Sequence, residues 1–273
     1  MNGALVDGYD LVILDLDGVV YLGDQPIAGA VDALARLRER GVARAYATNN
    51  ASRRAAEVAD LLTSLGIPTT AAEVTTSAQA SALVLAQQLP PGSPVLVVGA
   101  PALVDEVADV GLRPVQRAED EPVAVVQGYG PNVGWEQLAE GTVAVRGGAT
   151  WIATNTDRTL PSPRGPLPGN GSLVSVLTTA LDRQPDLVVG KPEPTLFQQV
   201  ARAHGAQRPL VVGDRIDTDI EAANRAGMDS LLVLTGVTRA DDLTDAPVSR
   251  QPTYVADGLD ALFAKPDEVR ATR

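Results

Sequence analysis

The chain contains no cysteine, and its 273 residues include one histidine, His204, and two lysines, Lys191 and Lys265. Without cysteine there is no disulfide, no thiol nucleophile and no thiolate ligand for a metal. A single histidine excludes every mechanism that needs two, including the zinc sites of metalloproteases. Any catalysis must therefore come from carboxylates, hydroxyl groups or a lysine.

Positive charge is also scarce, because 22 Lys and Arg residues stand against 34 Asp and Glu, a formal net charge of −12. Proteins that bind nucleic acid through phosphate contacts need a basic face, so we expect no nucleic-acid partner. The uncharged stretch 74–104 is interrupted by glutamine, proline and glycine and leaves no apolar run of 18 residues, so we expect no membrane association. The first ten residues lack the pattern of an export signal, and we expect a cytoplasmic location.

Short apolar runs alternate with amphipathic helical patterns along nearly the whole chain. An early example is the strand candidate Leu11–Asp17, followed by the helix candidate Val31–Arg40, which Gly41 ends. The strand candidates are continuously apolar rather than alternating, as in a parallel sheet covered by helices on both faces. The sequence therefore predicts an α/β fold with a doubly wound parallel sheet and right-handed crossovers.

Polar residues or glycine follow four of the predicted strands at the point where each strand ends. They are Asp15, Asp17 and Gly18 after the first strand, Thr48 and Asn49 after the second, Lys191 after the strand at 187–189, and Asp214 after the strand at 210–212. Ligands of open α/β sheets bind beyond the carboxyl ends of the strands, so we expect these residues to meet in one site. Alternation along a strand places Asp15 and Asp17 on the same side, where two carboxylates need a cation or a proton between them.

This set of groups suits a phosphoryl group beside a magnesium ion. The carboxylates of Asp15 and Asp214 can hold Mg²⁺ through oxygen atoms. The cation, Lys191 and the backbone N–H groups of Gly18 and Asn49 can neutralise the charge of the phosphoryl oxygens. These groups also supply the local positive field that a chain of this net charge otherwise lacks.

Two carboxylates can then carry the reaction. Asp15 can attack phosphorus as a nucleophile and form an aspartyl-phosphate. Asp17 can give a proton to the leaving alkoxide. Each residue taken alone also has a structural interpretation as a turn former or a helix cap, but their order at successive strand ends favours a common site.

The segments LDLDGVVYLG, ATNNAS, GKPEP and GDRIDTDI resemble the four motifs of the haloacid dehalogenase superfamily of phosphatases. The residues of these segments, together with the large insert between the second and third, are most similar to those of subfamily IIA, the p-nitrophenylphosphatase-like branch. That branch includes phosphoglycolate and glycerol-3-phosphate phosphatases. The resemblance implies a Rossmann-like catalytic core formed by residues 1–80 and 185–273, and an inserted α/β cap domain formed by residues 81–184.

The resemblance also implies a role for each motif residue. It implies that Asp15 is the nucleophile and Asp17 the acid/base. Thr48 and Lys191 are implied as phosphate binders, and Asp214 as a metal ligand. The backbone carbonyl of Asp17 is implied as a further ligand of Mg²⁺. Asp219 matches the second acidic position of the last motif, and we expect it to position Lys191 or a metal-bound water without binding the metal itself.

Within the implied cap, the proline-rich loop Asp157–Gly171 resembles the family's substrate-specificity loop. Three of its residues are candidates either to face the leaving group or to shape the surface of the cap: Arg158, Leu160 and Arg164. We expect Trp135 and Trp151 to fill the core of this domain. Caps of this family often mediate dimers, which makes a homodimer through the cap a further expectation.

The sequence thus predicts a Mg²⁺-dependent phosphomonoesterase that hydrolyses a small organic phosphate, such as glycerol 3-phosphate or 2-phosphoglycolate, through an aspartyl-phosphate. A phosphotransferase or phosphomutase acting on sugar phosphates would use the same acids and differ only in the acceptor. A non-hydrolytic phospho-acceptor signalling domain also places carboxylates, threonine and lysine on a parallel sheet. Such a domain has no use for the large insert between Thr48 and Lys191.

Overall fold

The computed structural model describes residues 3–160, 162 and 164–271. Its strands are β1 (Leu11–Leu14), β2 (Tyr21–Leu22), β3 (Gln25–Pro26), β4 (Arg44–Thr48), β5 (Val74–Thr76), β6 (Pro94–Val98), β7 (Arg113–Val115), β8 (Ala124–Gln127), β9 (Thr150–Ala153), β10 (Thr159–Leu160), β11 (Leu167–Pro168), β12 (Leu187–Val188), β13 (Pro209–Gly213), β14 (Asp229–Val233) and β15 (Tyr254–Ala256). Its α-helices are α1 (Ala30–Glu39), α2 (Ala55–Ser64), α3 (Ser77–Gln88), α4 (Pro101–Asp109), α5 (Trp135–Arg146), α6 (Asn170–Leu181), α7 (Thr195–Ala203), α8 (Glu221–Ala226) and α9 (Pro266–Val269). A turn of π-helix at Ile216–Ile220 precedes α8.

The chain divides into two compact units. The first comprises Met1–Thr48, Ala56–Thr75 and Lys191–Arg273, and the second comprises Asn49–Ala55 and Thr76–Gly190. The bounds expected from the sequence are 1–80 with 185–273 and 81–184. The crossings near 76 and 190 differ from these by a few residues, and Asn49–Ala55, which is expected in the first unit, belongs to the second. One physical reason is that α3 begins at Ser77, so its first turn goes with the rest of that helix into the second unit.

The first unit is built on a six-stranded sheet in the order β15-β14-β13-β1-β4-β5. β1 is parallel to both of its neighbours, with Leu14 opposite Val212 of β13 and Tyr46 of β4. Every residue of β1, β4 and β13 is buried, as expected for the inner strands of a parallel sheet, and this includes the polar end residues Arg44 and Thr48 of β4. The predicted α/β fold with a parallel sheet is confirmed, and it places the carboxyl ends of three neighbouring strands together.

The second unit is built on a parallel sheet in the order β12-β9-β8-β6-β7, and β10 and β11 form a separate antiparallel pair. Trp151 of β9 is fully buried, and its Nε1 donates to Oε1 of Gln127 at 3.1 Å. Trp135 is 82% exposed, so the prediction that it fills the core is wrong. It is the first residue of α5, directly after Gly134, and its place at the end of the helix leaves its ring outside the packed face.

Among the residues that the structure describes, no helix has the length and apolar character needed to cross a membrane.

Candidate active site

The first motif leaves the sheet earlier than predicted. The expected strand Leu11–Asp17 ends at Leu14, because the chain then turns and the carbonyl of Leu16 accepts the N–H of Val20 at 2.9 Å. The N–H of Asp15 still bonds the carbonyl of Val212 at 2.9 Å, which fixes its backbone at the end of the sheet. Asp15 is therefore 8% exposed, whereas Asp17, two residues further into the turn, is only half-buried.

Two other buried polar residues of the first unit lie at a strand end or directly after one, and a third, Lys191, lies where the chain re-enters this unit. Thr48 is the last residue of β4 and Asp214 follows the last residue of β13, and β4 and β13 flank β1 on either side. Lys191 begins the segment by which the chain returns to the first unit. Lys191 is 3% exposed and Asp214 1%, so both charged groups are held away from bulk water.

Lys191 joins two of these carboxylates. Its Nζ donates to Oδ1 of Asp15 and, at 2.7 Å, to Oδ1 of Asp219. A third, longer contact of 3.4 Å runs to the carbonyl of Ala47. Burial alone would lower the pKa of Lys191, but the carboxylates of Asp15 and Asp219 raise it, so the side chain stays an ammonium. The structure thus brings together residues that are 176 and 28 positions from Lys191 in the sequence.

Asp15, Asp214 and Asp219 form a buried cluster in which one carboxylate oxygen from each lies within 4.8 Å of the others. The ammonium of Lys191 offsets one of these three negative charges. Burial raises the pKa of Asp15 well above its usual value. Burial raises the pKa of Asp214 to about 7, and the negative charge of Asp219 contributes to this rise. Three carboxylates thus lie beside one ammonium, and a divalent cation would supply the positive charge that the protein's own groups lack there.

The hydrogen bonds of Asp214 show that the residues fit such a cation. Its Oδ2 accepts the N–H of Val237 at 2.7 Å. Its Oδ1 is buried and has no hydrogen-bond partner among the described residues. A buried carboxylate oxygen without a partner is costly, and carboxylate and carbonyl oxygens are the ligands that Mg²⁺ takes in proteins. The donor set therefore suits Mg²⁺.

Gly18 has a different role from the one predicted. Its N–H donates to the carbonyl of Tyr21 at 2.8 Å within the turn, which argues against its predicted contact with a phosphoryl group. Its φ of +84° lies in the left-handed region, and a Cβ at this position would lie 2.6 Å from Oδ2 of Asp214. Glycine at this position is therefore what lets the turn pass beside the metal-site carboxylate.

Asn49 belongs to the second unit, one residue beyond Thr48. Its Nδ2 donates to Oδ2 of Asp157 at 3.0 Å. Its carbonyl accepts hydrogen bonds from Oγ of Ser77 at 2.6 Å and from Nδ2 of Asn155 at 2.7 Å. These bonds fix the start of the segment 49–55 within the second unit. The predicted phosphate contact of the Asn49 N–H stays a prediction.

The three candidates for substrate specificity also lie in the second unit, on and beside the β10–β11 pair. Arg158 and Arg164 are exposed and Leu160 is half-buried, with Leu160 opposite Leu167 in the pair. The carbonyl of Arg158 accepts the hydroxyl of Ser172 at 2.7 Å, so its backbone is fixed while its guanidinium remains accessible.

One segment that contacts the site was missed at the sequence level. Thr235–Thr238 follows β14, and its backbone and side chains contact Asp214 and Gly18. The rule that found the other residues, polar or glycine residues after an apolar strand, applies equally to this segment. It could have been found by extending that rule to the strand at 231–234.

Known proteins are similar to this chain in sequence and fold. The family model of haloacid dehalogenase-like hydrolases matches residues 12–113, and a second model of HAD-like hydrolases matches residues 188–262. The D-glycerol 3-phosphate phosphatase of Mycobacterium tuberculosis is 51% identical over 259 residues, which are 95% of this chain and 72% of that protein. The chain belongs to the haloacid dehalogenase-like hydrolase family.

Solved structures place it more narrowly within this family. The crystal structure of a glycerol phosphate phosphatase from Mycobacterium tuberculosis in complex with magnesium aligns with a TM-score of 0.95 at 48% identity, covering 99% of this chain and 82% of that one. A 4-nitrophenylphosphatase from Thermotoga maritima aligns with a TM-score of 0.88 at 31% identity, covering 96% and 99%. The chain is a haloacid dehalogenase-type phosphatase of the p-nitrophenylphosphatase-like branch, as its motifs indicate.

Proposed function

We propose that the protein is a Mg²⁺-dependent phosphatase that hydrolyses a small organic phosphomonoester through an aspartyl-phosphate on Asp15. The observation that carries this proposal is the buried contact of Asp15 with Lys191 beside Oδ1 of Asp214, which has no hydrogen-bond partner in the described part of the chain. Carboxylates of Asp15 and Asp214 and the carbonyl of Asp17 would hold the ion. When bound, Mg²⁺ supplies positive charge to the phosphoryl oxygens.

Lys191 prepares the nucleophile. Burial favours the protonated form of Asp15, and the ammonium of Lys191 counteracts this by stabilising the carboxylate. The Nζ of Lys191 contacts Oδ1 of Asp15, so the other oxygen is the one that attacks phosphorus. Asp219 accepts a second hydrogen bond from Nζ at 2.7 Å and fixes its position.

Two steps then complete the reaction. An oxygen of Asp15 forms a bond to phosphorus, the bond from phosphorus to the ester oxygen breaks, and the carboxyl group of Asp17 gives its proton to the leaving alkoxide. Water next attacks phosphorus, its proton passes to the carboxylate of Asp17, and the bond from phosphorus to Asp15 breaks. Inorganic phosphate leaves and both carboxyl groups return to their starting forms. We propose that the hydroxyl of Thr48, at the end of β4, binds a phosphoryl oxygen.

Glycerol 3-phosphate is the first substrate to test, because a relative with 51% identity is named for it. Other small esters, such as 2-phosphoglycolate, are the next. We propose that the second unit is the inserted cap domain and that Arg158, Leu160 and Arg164 determine which leaving group is accepted. Each of these residues belongs to the second unit, where both arginine side chains are exposed.

The test is a phosphate-release screen over small organophosphates with Mg²⁺ and with EDTA. We expect release of inorganic phosphate in the presence of Mg²⁺ and none after chelation. Isomerised sugar phosphate without inorganic phosphate would instead identify a phosphomutase. A stable aspartyl-phosphate without turnover would identify a phospho-acceptor domain.

Three further expectations stay predictions. Light scattering tests the homodimer through the cap, and cell fractionation tests the cytoplasmic location. The absence of a nucleic-acid partner is checked by a binding assay with DNA and RNA at low salt, where phosphate contacts are strongest.

A further inference from the structure

The segment Thr235–Thr238 holds Asp214 through its backbone. The N–H of Val237 donates to Oδ2 of Asp214 at 2.7 Å, and the N–H of Thr238 donates to the carbonyl of Asp214 at 3.1 Å. The hydroxyl of Thr238 accepts the N–H of Ile216 at 3.1 Å, which ties the segment to the loop after β13. One oxygen of the Asp214 carboxylate is therefore fixed, and the other is left for a different partner.

Thr235 contacts the other side of the site. Its Oγ1 donates to the carbonyl of Gly18 at 2.6 Å, across 217 positions of sequence. β14 is not a neighbour of β1, because β13 lies between them, so this hydrogen bond spans the end of a strand. The carbonyl it holds belongs to the residue directly after Asp17, whose own carbonyl is the expected third ligand of the metal.

Two glycines leave just enough space for the carboxylate of Asp214. A Cβ at Gly236 would lie 2.0 Å from Oδ2 of Asp214, and a Cβ at Gly18 would lie 2.6 Å from the same atom. The Gly18 turn and the segment Thr235–Thr238 thus contact the carboxylate from two sides. A shift of either one changes the position of Asp214 or the space around it.

We propose that Thr235 is a positioning residue for the magnesium site, whose hydroxyl holds the Gly18 turn against the Asp214 carboxylate. This hydrogen bond fixes the turn directly after Asp17, and so the position of the Asp17 carbonyl relative to Asp214. Residues that orient metal ligands typically change metal affinity when they are altered. The inference rests on the proposed function, since it takes Mg²⁺ as the ion that the cluster binds.

The test compares Mg²⁺ affinity, by isothermal titration calorimetry, between Thr235→Val and Thr235→Ser. Valine keeps the shape of the side chain and removes the hydroxyl, so we expect Mg²⁺ binding to weaken by about tenfold or more. Serine keeps the hydroxyl, so we expect its affinity to stay close to that of the unmodified protein. The Mg²⁺-induced rise in melting temperature gives the same ranking without measuring turnover.

Thr253→Val is the matched control, because its hydroxyl bonds Ser230 and Asp229 of the first unit and does not bond the Gly18 turn. If this control weakens Mg²⁺ binding as much as Thr235→Val, the effect is general destabilisation and the inference is wrong. Equal Mg²⁺ affinity in Thr235→Val and the unmodified protein also overturns it. Should Thr235→Val not fold, Thr235→Ala removes the same hydroxyl with less bulk and carries the comparison. Failure of the unmodified protein to bind Mg²⁺ would contradict the proposed function instead.

Discussion

Asp219 accepts a hydrogen bond of 2.7 Å from Nζ of Lys191, and both side chains are almost completely buried. The same Nζ contacts Asp15, so a single ammonium connects the proposed nucleophile to a carboxylate that takes no part in bond making. Asp219 also accepts the N–H of Arg215 at 3.1 Å, which fixes its second oxygen. Its position explains how Lys191 can contact Asp15 without being free to leave it.

Replacing Lys191 is expected to affect stability as well as activity. Lys191→Ala leaves Asp15 and Asp219 buried without their cation, and removing one partner of a buried ion pair typically costs about 3–5 kcal/mol. We expect a loss of that order in the free energy of unfolding of the metal-free protein, together with loss of turnover. Urea unfolding followed by circular dichroism measures it. Lys265→Ala, at an exposed position, is the control, and an equal loss there would contradict the prediction.

Asp15→Asn is expected to abolish phosphate release while leaving the fold intact, because an amide cannot form the aspartyl-phosphate. Release of inorganic phosphate from glycerol 3-phosphate measures the effect, and circular dichroism checks the fold. Asp24→Asn changes an exposed aspartate and should leave the rate unchanged. Residual turnover of Asp15→Asn near the unmodified rate would remove Asp15 as the nucleophile.

The role of Asp17 is separated by the choice of leaving group. An alkoxide needs a proton as it leaves, whereas p-nitrophenolate hardly does. We therefore expect Asp17→Asn to lose about 10²–10⁴-fold in rate on glycerol 3-phosphate and much less on p-nitrophenyl phosphate. Steady-state rates on both esters give the comparison. Equal losses on the two esters would show that Asp17 is not the acid.

Gly18→Ala and Gly23→Ala form a matched pair. Both glycines have a positive φ, +84° and +64°, so alanine adds backbone strain of about 1–2 kcal/mol at either position. Only at Gly18 would the new Cβ collide with Asp214, while nothing lies within 4 Å of a Cβ at Gly23. We expect both variants to melt at a lower temperature and only Gly18→Ala to lose Mg²⁺ affinity in calorimetric titration. Similar affinities in the two variants would contradict this.

Magnesium binding is expected to depend on pH through Asp214. Burial raises the pKa of this carboxyl group from 3.8 to about 7 in the metal-free protein, so a cation must displace a proton below that pH. We expect Mg²⁺ affinity to fall as the pH drops below about 7, with proton release on binding. Calorimetry in two buffers of different ionisation enthalpy measures the released protons. A flat affinity between pH 6 and 8, an interval of about one unit on either side of this pKa, would contradict the prediction.

The stability of the metal-free protein should follow the opposite trend. Between the ordinary pKa of 3.8 and about 7, the folded Asp214 binds a proton that the unfolded chain has released. Its contribution to the free energy of unfolding therefore decreases as the pH rises through this interval. Saturating Mg²⁺ should remove this decrease, because the ion stabilises the carboxylate form.

The strand-end rule located Asp15, Thr48 and Asp214 because a parallel sheet brings its carboxyl ends to one edge whatever the sequence separation. Lys191 follows β12, which lies in the sheet of the second unit, so the rule named this residue although its strand does not belong to the sheet that carries the other three. It could not foresee that the N–H of Gly18 is used within its own turn, since backbone donors carry no sequence signal. For the same reason, the sequence did not predict that the N–H of Val237 donates to Oδ2 of Asp214 and fixes this carboxylate.

In the second unit, the sequence-based predictions failed for a different reason. The large aromatic ring of Trp135 suggested a buried position, but residue type does not tell that this tryptophan stands in the first, exposed turn of α5. Asn49 likewise follows a strand of the first unit in sequence, yet its hydrogen bonds to Asp157, Ser77 and Asn155 belong to the second unit. Such partners depend on tertiary packing, and a single sequence does not contain them.

The excess of carboxylates over ammonium groups near Lys191 determines the order in which Mg²⁺ and substrate bind. Even with a proton on one of the three carboxyl groups, one ammonium leaves the pocket negative before any ion enters. A phosphomonoester carries its own negative charge and would be repelled from such a pocket. Magnesium would therefore have to bind before the substrate, since its charge would make the pocket attractive to an anion.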